Sequence, residues 1–155
     1  MRRFGRAGRG AATANEGGLA TAGARALVVF RDQTEIRWLH GLRRGFRHCA
    51  VWVRAGDFWI AQETLSHQTL LGVWPAGDGA GLVAALRASG HRVVRTRILA
   101  APRRVAPPLP FSCVESVKRV LGIHAWDVLT PWQLYRHLIR KRSKSILTIT
   151  LSRNI

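Results

Sequence analysis

The sequence predicts an α+β fold with a mostly antiparallel sheet, and three observations carry that prediction. Residues 46–74 alternate apolar and polar side chains with a period of two, interrupted by turn chemistry at Ala55-Gly56-Asp57. Two later stretches, 113–121 and 131–139, carry apolar residues at helical spacing, and each opens with a capping-box pattern. The order strand, helix, several strands, helix, strand, helices does not alternate strand for helix, which separates this pattern from a parallel βαβ sheet.

Taken in order, residues 1–24 are Gly, Ala, Arg and Thr with little to bury and read as a flexible basic arm. The folded domain is expected over 25–155. Ala26 to Phe30 is a first strand, and Thr34 to Arg44 a short helix with Ile36, Leu39 and Leu42 on one face. Phe46 to Arg54 and Phe58 to Thr64 form a hairpin, Thr69 to Trp74 a third strand, and Leu82, Val83 and Leu86 mark a helix that ends near Gly90. Arg92 to Leu99 is rich in β-branched residues and predicts another strand, with arginines on its outer face. A Pro-rich loop, 106–110, then leads into a helix that Ser112 caps, with Glu115 three residues on and Gly122 as its stop. Thr130, Pro131 and Gln133 open the last helix. The alternation of Ser145 to Leu151 predicts a terminal strand.

At 155 residues and 47% apolar, the chain is long enough to bury a core as one domain. Its formal charge is +17, and 22 of its 25 cationic side chains are Arg. Such a field attracts polyanions, whether nucleic acid, anionic lipid or acidic polymer. No apolar run approaches the roughly 18–20 residues of a membrane span, and no apolar stretch follows the basic N-terminus to make a signal peptide. A cytoplasmic or virion-associated setting is expected. Two cysteines cannot make a disulfide framework, and without CxxC or HxxxH spacing neither a metal nor another cofactor is expected.

The chemistry centres on Cys113. As the first residue of a capped helix it lies among unpaired N–H groups at the positive end of the helix dipole, which favours thiolate. A nucleophile of this kind needs a histidine and a group to orient it. Among six histidines, His48 stands apart because it lies on a hairpin strand among Val and Trp. A turn tip near Gly56 sets His48 opposite residues 62–65, and an odd register makes Glu63 its same-face neighbour, whereas a one-residue change presents Gln62 or Thr64. His67 is the reserve candidate. Cys49 points to the other side of its strand from His48 and is assigned to the core, outside the site.

A strand-borne His (Phe46-Arg47-His48-Cys49-Ala50-Val51), an acidic residue on the next strand (Glu63) and a later Cys opening a helix (Pro110-Phe111-Ser112-Cys113-Val114-Glu115-Ser116-Val117) resemble the circularly permuted papain-like hydrolases. That group includes YiiX-like and lecithin retinol acyltransferase-like proteins, related to NlpC-type peptidases. The block is also similar to small proteins of phages and phage-like elements. The resemblance implies a sheet packed against the cysteine helix, with Cys113 as nucleophile, His48 as base and Glu63 as orienting residue. It implies an amide or ester bond as substrate, in a peptidoglycan peptide or an acyl lipid. The family often has Gly before this His and a small residue after it, where this chain has Arg47 and Cys49. The alternative expectation is a catalytically silent basic adaptor, virion-associated, holding nucleic acid or another polyanion through Arg2, Arg3, Arg6, Arg9, Arg43, Arg44, Arg140, Lys141 and Arg142.

Overall fold

Five consecutive buried residues, Ala26 to Phe30, make strand β1 (Arg25–Arg31) the centre of the molecule. The computed structural model describes residues 22–34, 36–100 and 111–151, with side chains as far as residue 141. The hairpin is β2 (His48–Ala55) and β3 (Phe58–Thr64), joined by Gly56 and Asp57, with Gly56 at φ 53°, where glycine meets no Cβ penalty. With β4 (Thr69–Pro75) and β5 (Arg92–Arg97) they form a sheet of order β4-β3-β2-β1-β5 in which every pairing is antiparallel. The protein is therefore α+β with an antiparallel sheet, as the pattern predicts.

Alternation along β1 divides the interior in two. Ala26, Val28 and Phe30 face α2 (Cys113–Leu121) and α3 (Pro131–Leu151), and pack with Val51, Val114, Val117, Leu121 and Leu134. Leu27 and Val29 face α1 (Gly79–Ala88), and pack with Trp59, Val83 and Val93. The sheet is thus covered on both sides, which is why β1 reads as a continuous apolar run and not as an alternation. Asp78 caps α1 by accepting from the N–H groups of Ala80 and Gly81.

Phe46, 2% exposed, sits just before β2 and joins β1 to α3: its ring lies 5.6 Å from Phe30 and 4.8 Å from both Trp132 and Tyr135. The predicted box at the start of α3 closes in both directions. Gln133 Oε1 accepts from the Thr130 N–H at 2.8 Å, and Thr130 Oγ1 accepts from the Gln133 N–H at 3.3 Å.

The structure corrects four expectations. The helix predicted over 34–44 is a single 3₁₀ turn, Arg37–Gly41, with no buried residue: its apolar side chains line a cavity instead of packing into the core. The terminal strand predicted over 145–151 is the continuation of α3, because no Gly or Pro interrupts 132–151 and the helix is already propagating when it reaches that segment. Gly23 and Ala24, assigned to the arm, already bond Ile98 through backbone N–H···O contacts of 2.8 and 3.0 Å. The arginines of β5 do not share one face, since Arg92 is offset from Arg95 and Arg97 and lies over the Phe46 ring at 4.9 Å. Residues 1–21 of the predicted arm and the Pro-rich loop fall outside the described residues.

Candidate active site

Helix α2 starts at Cys113 because Ser112, in extended conformation, accepts the Glu115 N–H on its Oγ at 3.2 Å. Gly122 ends it in the left-handed region, φ 67°. Only half of the predicted capping box forms. The Glu115 carboxylate does not return to the cap; it pairs with Lys118 at 2.9 Å and Arg119 at 3.0 Å. Lys118, 3% exposed, also donates to the carbonyls of Ala125 and Val128 at 2.8 and 3.1 Å. This buried cluster fixes α2 to the 123–128 segment.

The next turn of α2 fixes which hairpin residue faces the histidine. Ser116 Oγ accepts from Gln62 Nε2 at 3.0 Å and from Thr64 Oγ1 at 2.8 Å, which holds both of those side chains on the α2 face of the sheet. Glu63 therefore points to the other face. The β2/β3 register, Val51 opposite Gln62, is the odd one and makes Glu63 the diagonal neighbour of His48. Glu63 Oε1 lies 3.4 Å from His48 Nε2 and accepts a hydrogen bond from Arg31 Nη2. Arg31 is the β1 partner of His48, so Arg31, His48 and Glu63 form a row across three strands. The buried His48 Nε2 is thus within ion-pair distance of the carboxylate but makes no hydrogen bond to it.

Cys113 and His48 both line a cavity of about 460 Å³. Its walls are mostly apolar: Ile36, Trp38, Leu39 and Leu42 on one side, Phe111 and Leu129 on the other. The 32–47 segment that supplies the first wall is held by Asp32, which accepts from the Gly45 N–H at 2.7 Å and from Arg47 at 3.2 Å. Gly45 takes φ 79° at this bend.

The Cys113 thiol is lowered from its ordinary 9.0 to about 4. The largest cause is a hydrogen bond from the thiol of Cys49; burial opposes it, and the hydrogen bond and positive charge of His48 add to the lowering. Cys49 is pushed the other way, by its complete burial and by the bond and charge it shares with Cys113. Of the two thiols, Cys113 is therefore the one favoured to ionise, and the enclosed Cys49 the one favoured to stay neutral. Cys49 is in the core, as expected, fully buried beside Phe30 and Val51, but its bond to Cys113 corrects its exclusion from the site. Strand alternation does turn it away from His48, but Cys113 lies at the end of a helix over the end of the strand and meets both residues. Arg31 and Cys49 are the site residues that the sequence reasoning missed. The β1/β2 pairing would have shown the first.

Cys113, His48 and Glu63 are thus brought together. His67 is exposed in the β3–β4 loop and does not line the cavity. Of the cationic positions named for polyanion binding, Arg43, Arg44, Arg140 and Lys141 are exposed, Arg43 over the Trp132 ring at 3.7 Å. Arg2, Arg3, Arg6 and Arg9, and the side chain of Arg142, fall outside the described residues. Among the described residues no group of three His, Cys, Asp or Glu is placed to hold a metal ion, and no helix is long and apolar enough to cross a membrane.

No protein-family model, curated protein or solved structure matches the chain.

Proposed function

We propose that the protein is a cysteine-dependent acyl-transfer enzyme, a hydrolase or acyltransferase acting on an amide, ester or thioester, built on a permuted papain-like plan. The observation that carries this reading is the contact of Cys113 with His48 at the start of α2, with Glu63 behind the imidazole and an apolar cavity in front. A thiolate beside an imidazolium, the latter backed by a carboxylate, is the arrangement nucleophilic catalysis requires.

The Cys113 thiolate attacks the carbonyl carbon and forms a C–S bond, placing charge on the carbonyl oxygen. The N–H groups of Cys113 and Val114, in the first turn of α2, are the donors suited to that oxyanion, because Ser112 already occupies the N–H groups of Glu115 and Ser116. His48 gives its proton to the leaving amine, alkoxide or thiolate as that bond breaks. It then takes a proton from the second acceptor, water or an alcohol or amine, which attacks the acyl-cysteine and releases the thiolate. With Nε2 turned to Glu63, Nδ1 is the nitrogen that serves the thiol. The apolar walls favour an acyl chain over the polar peptide of a cell wall.

Incubation with p-nitrophenyl acyl esters of increasing chain length tests the proposal. Turnover and one acyl group on Cys113 by mass spectrometry are expected. Cys113→Ala and His48→Ala should each lower turnover roughly 10²- to 10⁴-fold with the fold retained. Full activity in either variant would remove the proposal. A second reading, the basic adaptor, rests on the exposed Arg43, Arg44, Arg140 and Lys141. It predicts polyanion binding that weakens steeply with salt and ignores Cys113.

A further inference from the structure

Three large side chains at the cavity are left in solvent: Trp38 is 75% exposed, Phe111 65% and Leu129 56%. They come from three separate parts of the chain, the 3₁₀ turn, the lead into α2 and the lead into α3, yet all three line the same opening. Scattered single exposed apolar residues are ordinary; three gathered on one rim are not. Arginines stand on the lining and next to it in the chain. Arg31 and Arg47 line the cavity, Arg37 precedes Trp38, and Arg43 and Arg44 follow Leu42, the last three exposed. Among the described residues no Asp or Glu lines the cavity.

From this juxtaposition we infer that the cavity rim is a docking surface for an anionic lipid bilayer, with Trp38, Phe111 and Leu129 inserted at the headgroup boundary and Arg37, Arg43 and Arg44 on lipid phosphates. Exposed Trp belongs at that boundary, where its amphipathic ring is favoured over both water and hydrocarbon, and Phe and Leu beside it gain by burial in the acyl region. Arginine adds attraction to an anionic surface. A nucleic-acid partner would draw on the same charge but has no use for an apolar cavity behind the aromatic rim. Docked this way, the opening faces the acyl region, and an acyl chain can pass to Cys113 without crossing water. The inference extends the acyl-transfer reading to a membrane-borne substrate, but the docking itself requires only the rim.

Co-sedimentation of the full chain with vesicles tests it. One set is phosphatidylcholine alone, and the other is equal parts of phosphatidylcholine and phosphatidylglycerol. Binding to the anionic vesicles and little to the neutral ones is expected. Because Trp38 and Phe111 are exposed, Trp38→Ser with Phe111→Ser should leave the melting temperature unchanged while weakening vesicle binding more than tenfold. Arg43→Gln with Arg44→Gln should weaken it about fivefold per arginine. Cys113→Ala should bind as the wild type does, so a failed acyl-transfer assay leaves this result standing. Unchanged binding of the Trp38/Phe111 variant would overturn the inference, since charge alone would then explain association. So would a chain that prefers duplex DNA of equal charge and depends on Trp38 for it.

Discussion

Cys113 has two neighbours that act on it in the same direction, a thiol donor at Cys49 and an imidazole at His48. Cys49 gives the larger effect, so the second thiol bears on the nucleophile as well as the histidine. Cys49→Ala removes that donor without disturbing His48. At pH 5 its Cys113 is expected to alkylate about tenfold more slowly than in the wild type, the thiol having moved back toward its ordinary value. An unchanged rate would assign the whole effect to His48. The members of the site differ in how legible they are in the sequence. Cys113 announces itself through Ser112 and the helix start, and His48 through its polarity on an apolar strand. Glu63 follows from the two-residue turn at Gly56. Cys49 is illegible, because alternation tells which side of a strand a residue takes but not which helix end lies over it.

At the scale of elements, α2 depends on a buried ion pair that its amphipathic pattern does not announce. Glu115 and Lys118, three residues apart, read as surface charges, yet both are buried and held by Arg119 and two loop carbonyls. Burial raises the Glu115 carboxyl, but the hydrogen bonds and charges of Lys118 and Arg119 outweigh it and the group lies below its ordinary 4.5. A carboxyl depressed in the fold contributes stability above its unfolded value and loses it as pH falls through the folded one. Urea stability should therefore decline as pH drops below 4.5. Lys118→Met should cost about 3 kcal/mol at neutral pH, chiefly by leaving Glu115 buried without its inner partner. A loss within experimental error would show that Arg119 alone suffices. Where caps and turns are local, as at Thr130-Pro131 and Gly56-Asp57, the elements are legible. The 3₁₀ turn and the length of α3 are not, since cavity walls and propagation of a long helix imitate other periods.

The whole molecule is a sheet covered on both faces; Cys113 lies on the α2 side, while His48 and Glu63 leave the other face at the end of β2, outside the core that α1 covers. α1 packs through Val83 on Leu27 and Val29, on the side away from α2 and α3. Stability and reactivity should therefore separate. Val83→Ala is expected to lower stability by about 2 kcal/mol, read by denaturant melts, while the reactivity of Cys113 stays unchanged below the unfolding transition. Altered reactivity would mean that the two cores are coupled through the sheet. The antiparallel α+β class was legible from period and turn chemistry. The division into two cores was not, because the continuous apolar run of β1 gives burial without saying what covers each face. The central claim is a thiolate held by an imidazolium at the start of α2. It is tested most directly by the rate of Cys113 alkylation with iodoacetamide as a function of pH, located by peptide mapping and repeated in His48→Ala. The account predicts labelling already fast at pH 6, with its midpoint near 4, and a marked slowing in the variant. Labelling that rises only near the ordinary thiol value of 9.0, the same in both proteins, would contradict it.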